Sequence, residues 1–279
     1  RVESACAHGG AWLDGDTFAS RGSCKAGLYA AGGLLRAVDE VLSGNVCSAF
    51  ALVRPPGHHA TADHAMGFCL FNNVAIAARY AQRHHGLQRI LIADFDVHHG
   101  NGTQDAFYDD PTVIYFSTHL YPFYPGSGDV DEVGQGPGKG TTVNVPLPAG
   151  CGDPEYHRVY SEILTPVCRR FQPELILVSA GYDPHWSDHL AMMQLSVKGF
   201  ADITGIIKGL ADEVCQGRLV FTLEGGYNLE ALAYGVKATF DVLLGKTNIE
   251  DPIGPPRYQG RTPSIDSLLS TVKKAHGIL

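Results

Sequence analysis

The stretch Ile90–Gly102 reads ILIADFDVHHGNG, and the interpretation of the whole chain starts from it. It begins with four aliphatic residues, and a short apolar run bounded by turn residues is typical of a buried strand. The residues that follow include Asp94, Asp96, His98 and Asn101. Because side chains alternate along a strand, Asp94, Asp96 and His98 would share one side if the extended backbone continued. Carboxylate and imidazole groups are ligands of divalent metals such as zinc, so the cluster predicts a metal site in preference to a capped turn held by ion pairs.

The composition is that of a folded globular protein. Of 279 residues, 44% are hydrophobic and 18% are charged, which suits one large domain or two small ones. The formal net charge of -8 argues against direct nucleic-acid binding, which needs a basic surface. Seven cysteines without a CxxC pair favour reduced thiols and a cytoplasmic location, or a nuclear one in a eukaryote. No apolar run approaches the ~18 residues that a membrane span needs.

Strand-like and helix-like segments alternate along the chain. Strands are predicted at residues 48–53, 90–94, 112–117, 141–145, 174–179 and 218–223. Helices are predicted at residues 23–42, 74–85, 154–171, 197–214 and 229–244, with Asp153 as the N-cap of the third. Residues 1–22 are interpreted as a loop, and the tail from residue 245 as Pro-rich and then weakly helical. The alternation predicts one domain with a parallel sheet covered by helices on both faces.

Polar side chains follow four of the predicted strands, at the edge where α/β proteins bind their ligands. In chain order they are His58 and His59, Asp96 and His98, Asp183, and Tyr227. A catalytic zinc takes three protein ligands and keeps one position open for water or substrate. Asp96, His98 and Asp183 supply such a set.

The remaining polar residues at this edge suit proton transfer and charge stabilisation. His58 and His59 are adjacent imidazoles in a Gly-Pro loop, a poor place for core residues, so both are interpreted as functional. The alternative is that one of them only hydrogen-bonds the loop backbone. The hydroxyl of Tyr227 could stabilise an oxyanion or belong to ordinary packing, and both interpretations stay open at this point.

Several motifs together resemble the zinc-dependent histone deacetylase family. They are RPPGHHA at 54–60, GFC at 67–69, FNN at 71–73, DFDVHHGNGTQ at 94–104, YPGSGD at 124–129, NVPLP at 144–148, SAGYD at 179–183 and LEGGYNL at 223–229. Two of these motifs, HHGNG at 98–102 and EGGYNL at 224–229, resemble those of the class II branch of the family. The resemblance implies a single-domain, three-layer arginase/deacetylase-type α/β fold over residues 1–279 and hydrolysis of acyl-lysine amides. Relatives usually carry a further N-terminal segment, which this chain is expected to lack.

The resemblance also implies a role for each site residue. It implies zinc ligands Asp96, His98 and Asp183, and catalytic residues His58, His59, Asp94, Asn101 and Tyr227. Asp94 would orient His58, and Tyr227 would stabilise the transition state. Asn101 would lie behind His59, where class I relatives carry an aspartate. An amide stabilises an imidazolium less than a carboxylate does, so His59 is expected to lose its proton easily.

A substrate channel and a second kind of metal follow from the same resemblance. The channel residues would be Gly67, Phe68, Tyr124 and Leu190. Leu190 stands where polyamine-specific relatives carry an acidic residue, so it favours an acyl-lysine protein or peptide over an acetylpolyamine. A structural K+ or Na+ would be bound near Asp94, Asp96, His98, Ser117 and Thr118.

Three other functions stay open beside protein deacetylation. An acetylpolyamine amidohydrolase would use the same chemistry on another substrate. A binuclear manganese ureohydrolase would need further bridging aspartates, and GYDP at residues 181–184 supplies one. A non-catalytic acyl-lysine reader would not need the paired histidines. A homo-oligomer is compatible with each of these functions.

Overall fold

The computed structural model describes residues 1–256 and 262–278. Its strands are β1 (Gly10–Trp12), β2 (Phe18–Ser20), β3 (Ser48–Ala51), β4 (Ile90–Asp94), β5 (Val113–Leu120), β6 (Thr142–Leu147), β7 (Leu175–Ala180) and β8 (Leu219–Leu223). Its helices are α1 (Val2–Ala7), α2 (Ser23–Leu42), α3 (Asn73–His85), α4 (Asn101–Phe107), α5 (Asp153–Val159), α6 (Thr165–Phe171), α7 (Val197–Cys215), α8 (Leu229–Leu243) and α9 (Asp266–His276). A π-helical turn, Tyr160–Leu164, joins α5 to α6. Part of the predicted Pro-rich tail, residues 257–261, lies outside the described residues.

The strands β3 to β8 form one parallel sheet in the order β3-β8-β7-β4-β5-β6. The chain continues from β4 to β5 on one side and from β7 to β8 on the other, so the strand order reverses between β4 and β7. Such a switch point opens a crevice at the carboxyl ends of the strands, where α/β proteins bind ligands. Asp94 pairs with Ser179 across this boundary, so the loops after β4 and β7 start side by side.

Alternate residues of the strands pack into hydrophobic cores on opposite faces of the sheet. Leu91 and Ala93 belong to the core shared with α5, α6, α7 and α9. Ile90 and Ile92 belong to the core shared with α2 and α3. Because both faces are covered, the strands are continuous apolar runs. The predicted three-layer α/β fold with a central parallel sheet is confirmed.

Two predictions of local structure are wrong. Residues 1–22 do not form a loop: they contain α1 and an antiparallel hairpin of β1 and β2, whose strands of three residues each are too short to show a period. Asp153 is not the N-cap of α5, because Gly152 precedes the helix there. The carboxylate of Asp153 instead accepts hydrogen bonds from the backbone nitrogen and hydroxyl of Ser196, at 2.8 and 2.6 Å.

Candidate active site

Three candidate metal ligands meet at the switch point between β4 and β7. One ligand atom from each of Asp96, His98 and Asp183 lies within 4.8 Å of the other two. The extended backbone does not continue as far as His98, because β4 ends at Asp94. A tight turn, in which the backbone nitrogen of His98 donates to Asp96 Oδ1 at 2.9 Å, brings the side chains together instead. Strand alternation is therefore not the reason for their proximity.

The charge balance of this cluster favours a bound cation. His98 Nδ1 lies 3.1 Å from Asp96 Oδ1 and 3.3 Å from Asp183 Oδ2. The buried Oδ2 of Asp183 accepts no hydrogen bond from any residue in the described ranges 1–256 and 262–278. Burial and the charge of Asp96 raise the pKa of Asp183 to about 6. A divalent cation would coordinate this oxygen and offset the two carboxylates, so the donor set fits a metal.

His58 is the member of the histidine pair that is bonded to a carboxylate. Its Nδ1 donates to Asp94 Oδ2 at 3.0 Å, and both side chains are buried. Asp94 also accepts hydrogen bonds from the Tyr115 hydroxyl at 3.0 Å and from the backbone nitrogen of Asp96 at 3.1 Å. Burial alone would lower the pKa of His58, but the charges of Asp94 and Asp96 outweigh it and raise this pKa to about 10.

His59 has a different partner, and its pKa is shifted in the opposite direction. Its Nδ1 donates to Asn101 Oδ1 at 2.8 Å. The Asn101 Nδ2 donates to the His59 carbonyl at 3.3 Å and to Met66 Sδ at 3.5 Å, which defines the orientation of the amide. Burial and the charge of His58 hold the pKa of His59 well below its usual range. The Nε2 of a neutral His59 is therefore free to accept a proton.

Tyr227 lies in the loop after β8, between Gly226 and Asn228. Gly226 has φ +130°, a conformation that favours glycine, and Asn228 is the N-cap of α8. The Tyr227 ring lies edge-on to Phe68 with centroids 6.0 Å apart. Burial and nearby carboxylates raise the pKa of Tyr227, so the phenol keeps its proton and is able to donate a hydrogen bond.

Two of the predicted channel residues, Phe68 and Tyr124, lie beside Tyr227 and His59 and are partly exposed. Phe68 and Tyr124 are 40% and 36% exposed, and the Tyr124 ring lies 5.2 Å from that of His59. Gly67 has φ +56°, and a Cβ on this residue would overlap the His59 ring. Only glycine can therefore bring the backbone this close to the His59 ring. Leu190, 38% exposed, lies on the loop after β7.

The residues predicted to bind a monovalent cation share one end of β4 and β5. Asp94 pairs with Ser117 in the sheet, and the Thr118 hydroxyl donates to the carbonyl oxygen of Asp94 at 3.4 Å. The Ser117 hydroxyl is hydrogen-bonded to His119 Nδ1 at 2.9 Å. Backbone carbonyls would have to supply most of the ligands, and this cation site stays a prediction.

Two buried carboxylates near the site escape prediction from the sequence. One is Asp188, in the loop after β7. The other is Glu224, whose Oε2 accepts hydrogen bonds from the backbone nitrogens of Gly57 and His58 at 2.7 and 3.2 Å. Its Oε1 accepts a bond from the Ser179 hydroxyl at 3.0 Å, and burial raises its pKa to about 7. Glu224 thereby ties the histidine loop to β7, and an acidic residue after an apolar strand is the only local signal for it.

Comparison with known proteins assigns the chain to a family. A family model described as the histone deacetylase domain matches residues 2–243. The chain therefore belongs to the histone deacetylase family, as its motifs predict. It is 50% identical over 249 residues to the chloroplastic histone deacetylase 14 of Arabidopsis thaliana, covering 88% of this chain and 59% of that protein.

Two further relatives broaden this comparison. The chain is 46% identical over 252 residues to the human polyamine deacetylase HDAC10, covering 88% of this chain and 36% of that protein. A crystal structure of the HDA15 HD domain is similar with a TM-score of 0.87 and 35% identity, covering 99% of this chain and 75% of that one. The chain thus spans 59% and 36% of the lengths of the two curated relatives.

Two findings concern the location of the protein. No helix within the described part of the chain is long and apolar enough to cross a membrane. The names of two relatives, from Arabidopsis and rice, include the word chloroplastic. The cytoplasmic location inferred from the cysteines stays a prediction.

Proposed function

We propose that this chain is a zinc-dependent hydrolase that removes acetyl or other acyl groups from lysine side chains of proteins or peptides. Residues 1–279 would form a single catalytic domain. The observation that carries the proposal is the convergence of Asp96, His98 and Asp183 at one crevice, beside two histidines whose Nδ1 atoms are bonded to a carboxylate and to an amide. Membership in the histone deacetylase family supports hydrolysis of an acyl amide.

Asp96, His98 and Asp183 would hold the zinc ion. Bound there, zinc would polarise the acyl carbonyl and lower the pKa of a water molecule. A structural K+ or Na+ beside β4 and β5 would add positive charge behind these ligands. Both ions are part of the proposal, and the Oδ2 of Asp183, which has no hydrogen-bond partner among the described residues, supports the first.

The histidine pair would move the proton. His59 accepts a proton from the attacking water at Nε2, because its Nδ1 is engaged with Asn101 and its low pKa keeps it neutral. The water oxygen bonds to the acyl carbon, the C–N bond breaks, and the lysine nitrogen takes the proton from the histidine pair. His58 stays charged against Asp94 and stabilises the negative charge that develops beside it.

Tyr227 would complete the site from the opposite loop. Its protonated hydroxyl donates a hydrogen bond to the acyl oxygen as negative charge grows there. Phe68 and Tyr124 would flank the lysine stem, because flat apolar walls suit a four-carbon chain whose peptide end remains outside. Leu190 at the rim would favour a peptide over a polycation.

Acetylpolyamine deacetylation is the second candidate. The 46% identity to a protein named polyamine deacetylase favours it, as does the net charge of -8, which would attract a polycation. The deciding experiment compares kcat/KM of the zinc-loaded protein on acetyl-lysine peptides and N-acetylpolyamines. We expect the peptides to be preferred by about tenfold or more, a difference of ~1.4 kcal/mol. A preference for the polyamine would transfer the proposal to that substrate.

A further inference from the structure

One buried carboxylate joins the two loops that meet over the site. Asp188 is 4% exposed and lies in the loop after β7, five positions beyond Asp183 by residue number. Its Oδ2 accepts hydrogen bonds from the backbone nitrogens of Tyr227 and Asn228, at 2.7 and 2.8 Å. Its Oδ1 accepts a bond from the backbone nitrogen of Leu190 at 3.0 Å. A single side chain therefore contacts the backbone of Tyr227 and of the rim residue.

The connection between the loops is reciprocal. The Asn228 side-chain nitrogen donates to the carbonyl and the hydroxyl of Ser187, both at 3.0 Å. The Asn228 side-chain oxygen caps α8 by accepting bonds from the backbone nitrogens of Glu230 and Ala231, both at 3.1 Å. Tyr227 thus lies between Gly226, whose φ of +130° favours glycine, and the N-cap Asn228, and Asp188 accepts the hydrogen bond of its backbone nitrogen.

We propose that Asp188 is a positioning residue that places the Tyr227 hydroxyl for the reaction and links its position to Leu190 at the rim. Hydrogen bonds from backbone amides to a carboxylate are charge-assisted and directional, so they resist small shifts of the loop. A misplacement of about 1 Å in a reacting group costs about 100-fold in rate. This inference rests on the proposed role of Tyr227 in deacylation.

The Asp188→Asn variant tests this role with little change in shape. The asparagine oxygen can still accept hydrogen bonds either from Leu190 or from Tyr227 and Asn228. The NH2 group then faces the remaining backbone amide and cannot accept a hydrogen bond from it. We expect kcat for an acetyl-lysine peptide to fall about 10-fold to 100-fold, with zinc content unchanged and the thermal midpoint lowered by only a few degrees, because one buried amide loses its acceptor.

The matched control is Glu174→Gln. Glu174 Oε2 also accepts hydrogen bonds from two successive backbone nitrogens, those of Gln88 and Arg89, at 2.7 and 2.9 Å. Glu174 precedes β7, whereas Asp188 follows it, so the control removes the same kind of bond at the opposite end of the sheet. We expect Glu174→Gln to leave kcat unchanged.

Repeating both substitutions in a Tyr227→Phe background separates positioning from general support of the fold. If Asp188 acts through the hydroxyl, Asp188→Asn lowers kcat in the parent and causes no further loss in Tyr227→Phe. An equal loss in both backgrounds, or a loss of zinc, would overturn the inference while leaving the proposed function standing. Parent-like turnover of Tyr227→Phe alone would overturn both.

A second variant covers the case in which Asp188→Asn fails to fold. Asn228→Ser keeps a residue that caps α8 well and removes only the two bonds to Ser187. We expect kcat to fall less than in Asp188→Asn, and we expect no further fall when Asn228→Ser is combined with Tyr227→Phe. A fall of the same size in both backgrounds would contradict the inference.

Discussion

Nδ1 of His59 lies 2.8 Å from the amide oxygen of Asn101, whereas Nδ1 of the adjacent His58 lies 3.0 Å from a carboxylate oxygen of Asp94. Two neighbouring imidazoles are thus paired with partners of different charge. The carboxylate helps to raise the pKa of His58 to about 10, while the pKa of His59 is held low. This asymmetry supports the proposal that His59 accepts the proton.

Asn101→Asp should shift the acid limb of the pH–rate profile toward higher pH. An aspartate stabilises the imidazolium and raises the pKa of His59. Because the base works only when neutral, activity is then lost at a higher pH on acidification, by about one pH unit. The profile of kcat/KM measures this shift. Asn248→Asp, which adds the same charge at an exposed position, should leave the limb in place. An unshifted limb in Asn101→Asp would remove His59 as the base.

Tyr227→Phe should lower kcat about 100-fold to 1000-fold and leave metal content unchanged. The variant loses one hydrogen bond to the developing oxyanion and keeps the ring that packs against Phe68. Acetate release and metal analysis on the same preparation measure both quantities. Tyr234→Phe on α8 is the matched control and should be inert. Turnover near that of the parent chain would show that the hydroxyl does not stabilise the transition state.

Glu224→Ala should lower the free energy of unfolding by about 2 to 4 kcal/mol. The backbone nitrogens of Gly57 and His58 would lose a buried acceptor, and each buried unpaired donor costs about 1 to 3 kcal/mol. Denaturant unfolding measures the change. Glu224→Gln, which retains an accepting oxygen, should lose less, and the exposed Glu230→Ala should lose little. Equal stability of Glu224→Ala and Glu230→Ala would contradict this account of the histidine loop.

Leu190→Glu should shift substrate preference toward acetylpolyamines. A carboxylate at the channel rim attracts the second cationic nitrogen of a polyamine, whereas an alkyl group does not. We expect the ratio of kcat/KM for N-acetylpolyamine over peptide to rise about tenfold, or ~1.4 kcal/mol. Met192→Glu places the same charge two positions further along the same exposed loop and should change the ratio less. Equal ratios in the two variants would show that position 190 does not select the substrate.

The sheet and the strand-end cluster were predictable because both leave local patterns. The strands at residues 90–94 and 175–180 are buried on both faces, so their sequences are apolar runs without the alternation of a half-exposed strand. The polar residues that follow each run are therefore easy to recognise. The rule that ligands bind at the carboxyl ends of parallel strands then brings Asp96 and Asp183 to one crevice.

The supporting carboxylates were not predictable, because their partners are distant in sequence. Glu224 contacts Gly57, which lies 167 positions earlier, and Asp188 contacts Tyr227, which lies 39 positions later. An isolated acidic residue in a loop has no periodicity that would distinguish a buried anchor from a solvated charge. The β1–β2 hairpin was missed for a similar reason, since its pairing is specified by cross-strand contacts such as Trp12 with Phe18.

The proposed deacylation depends above all on a metal held by Asp96, His98 and Asp183. The most direct measurement removes metal with a chelator, titrates the protein with Zn2+, and follows bound metal and acetate release together. We predict one zinc per chain, activity that rises in proportion to it, and loss of both in Asp183→Ala. Undiminished turnover by the metal-free chain, or full zinc binding by Asp183→Ala, would contradict the account.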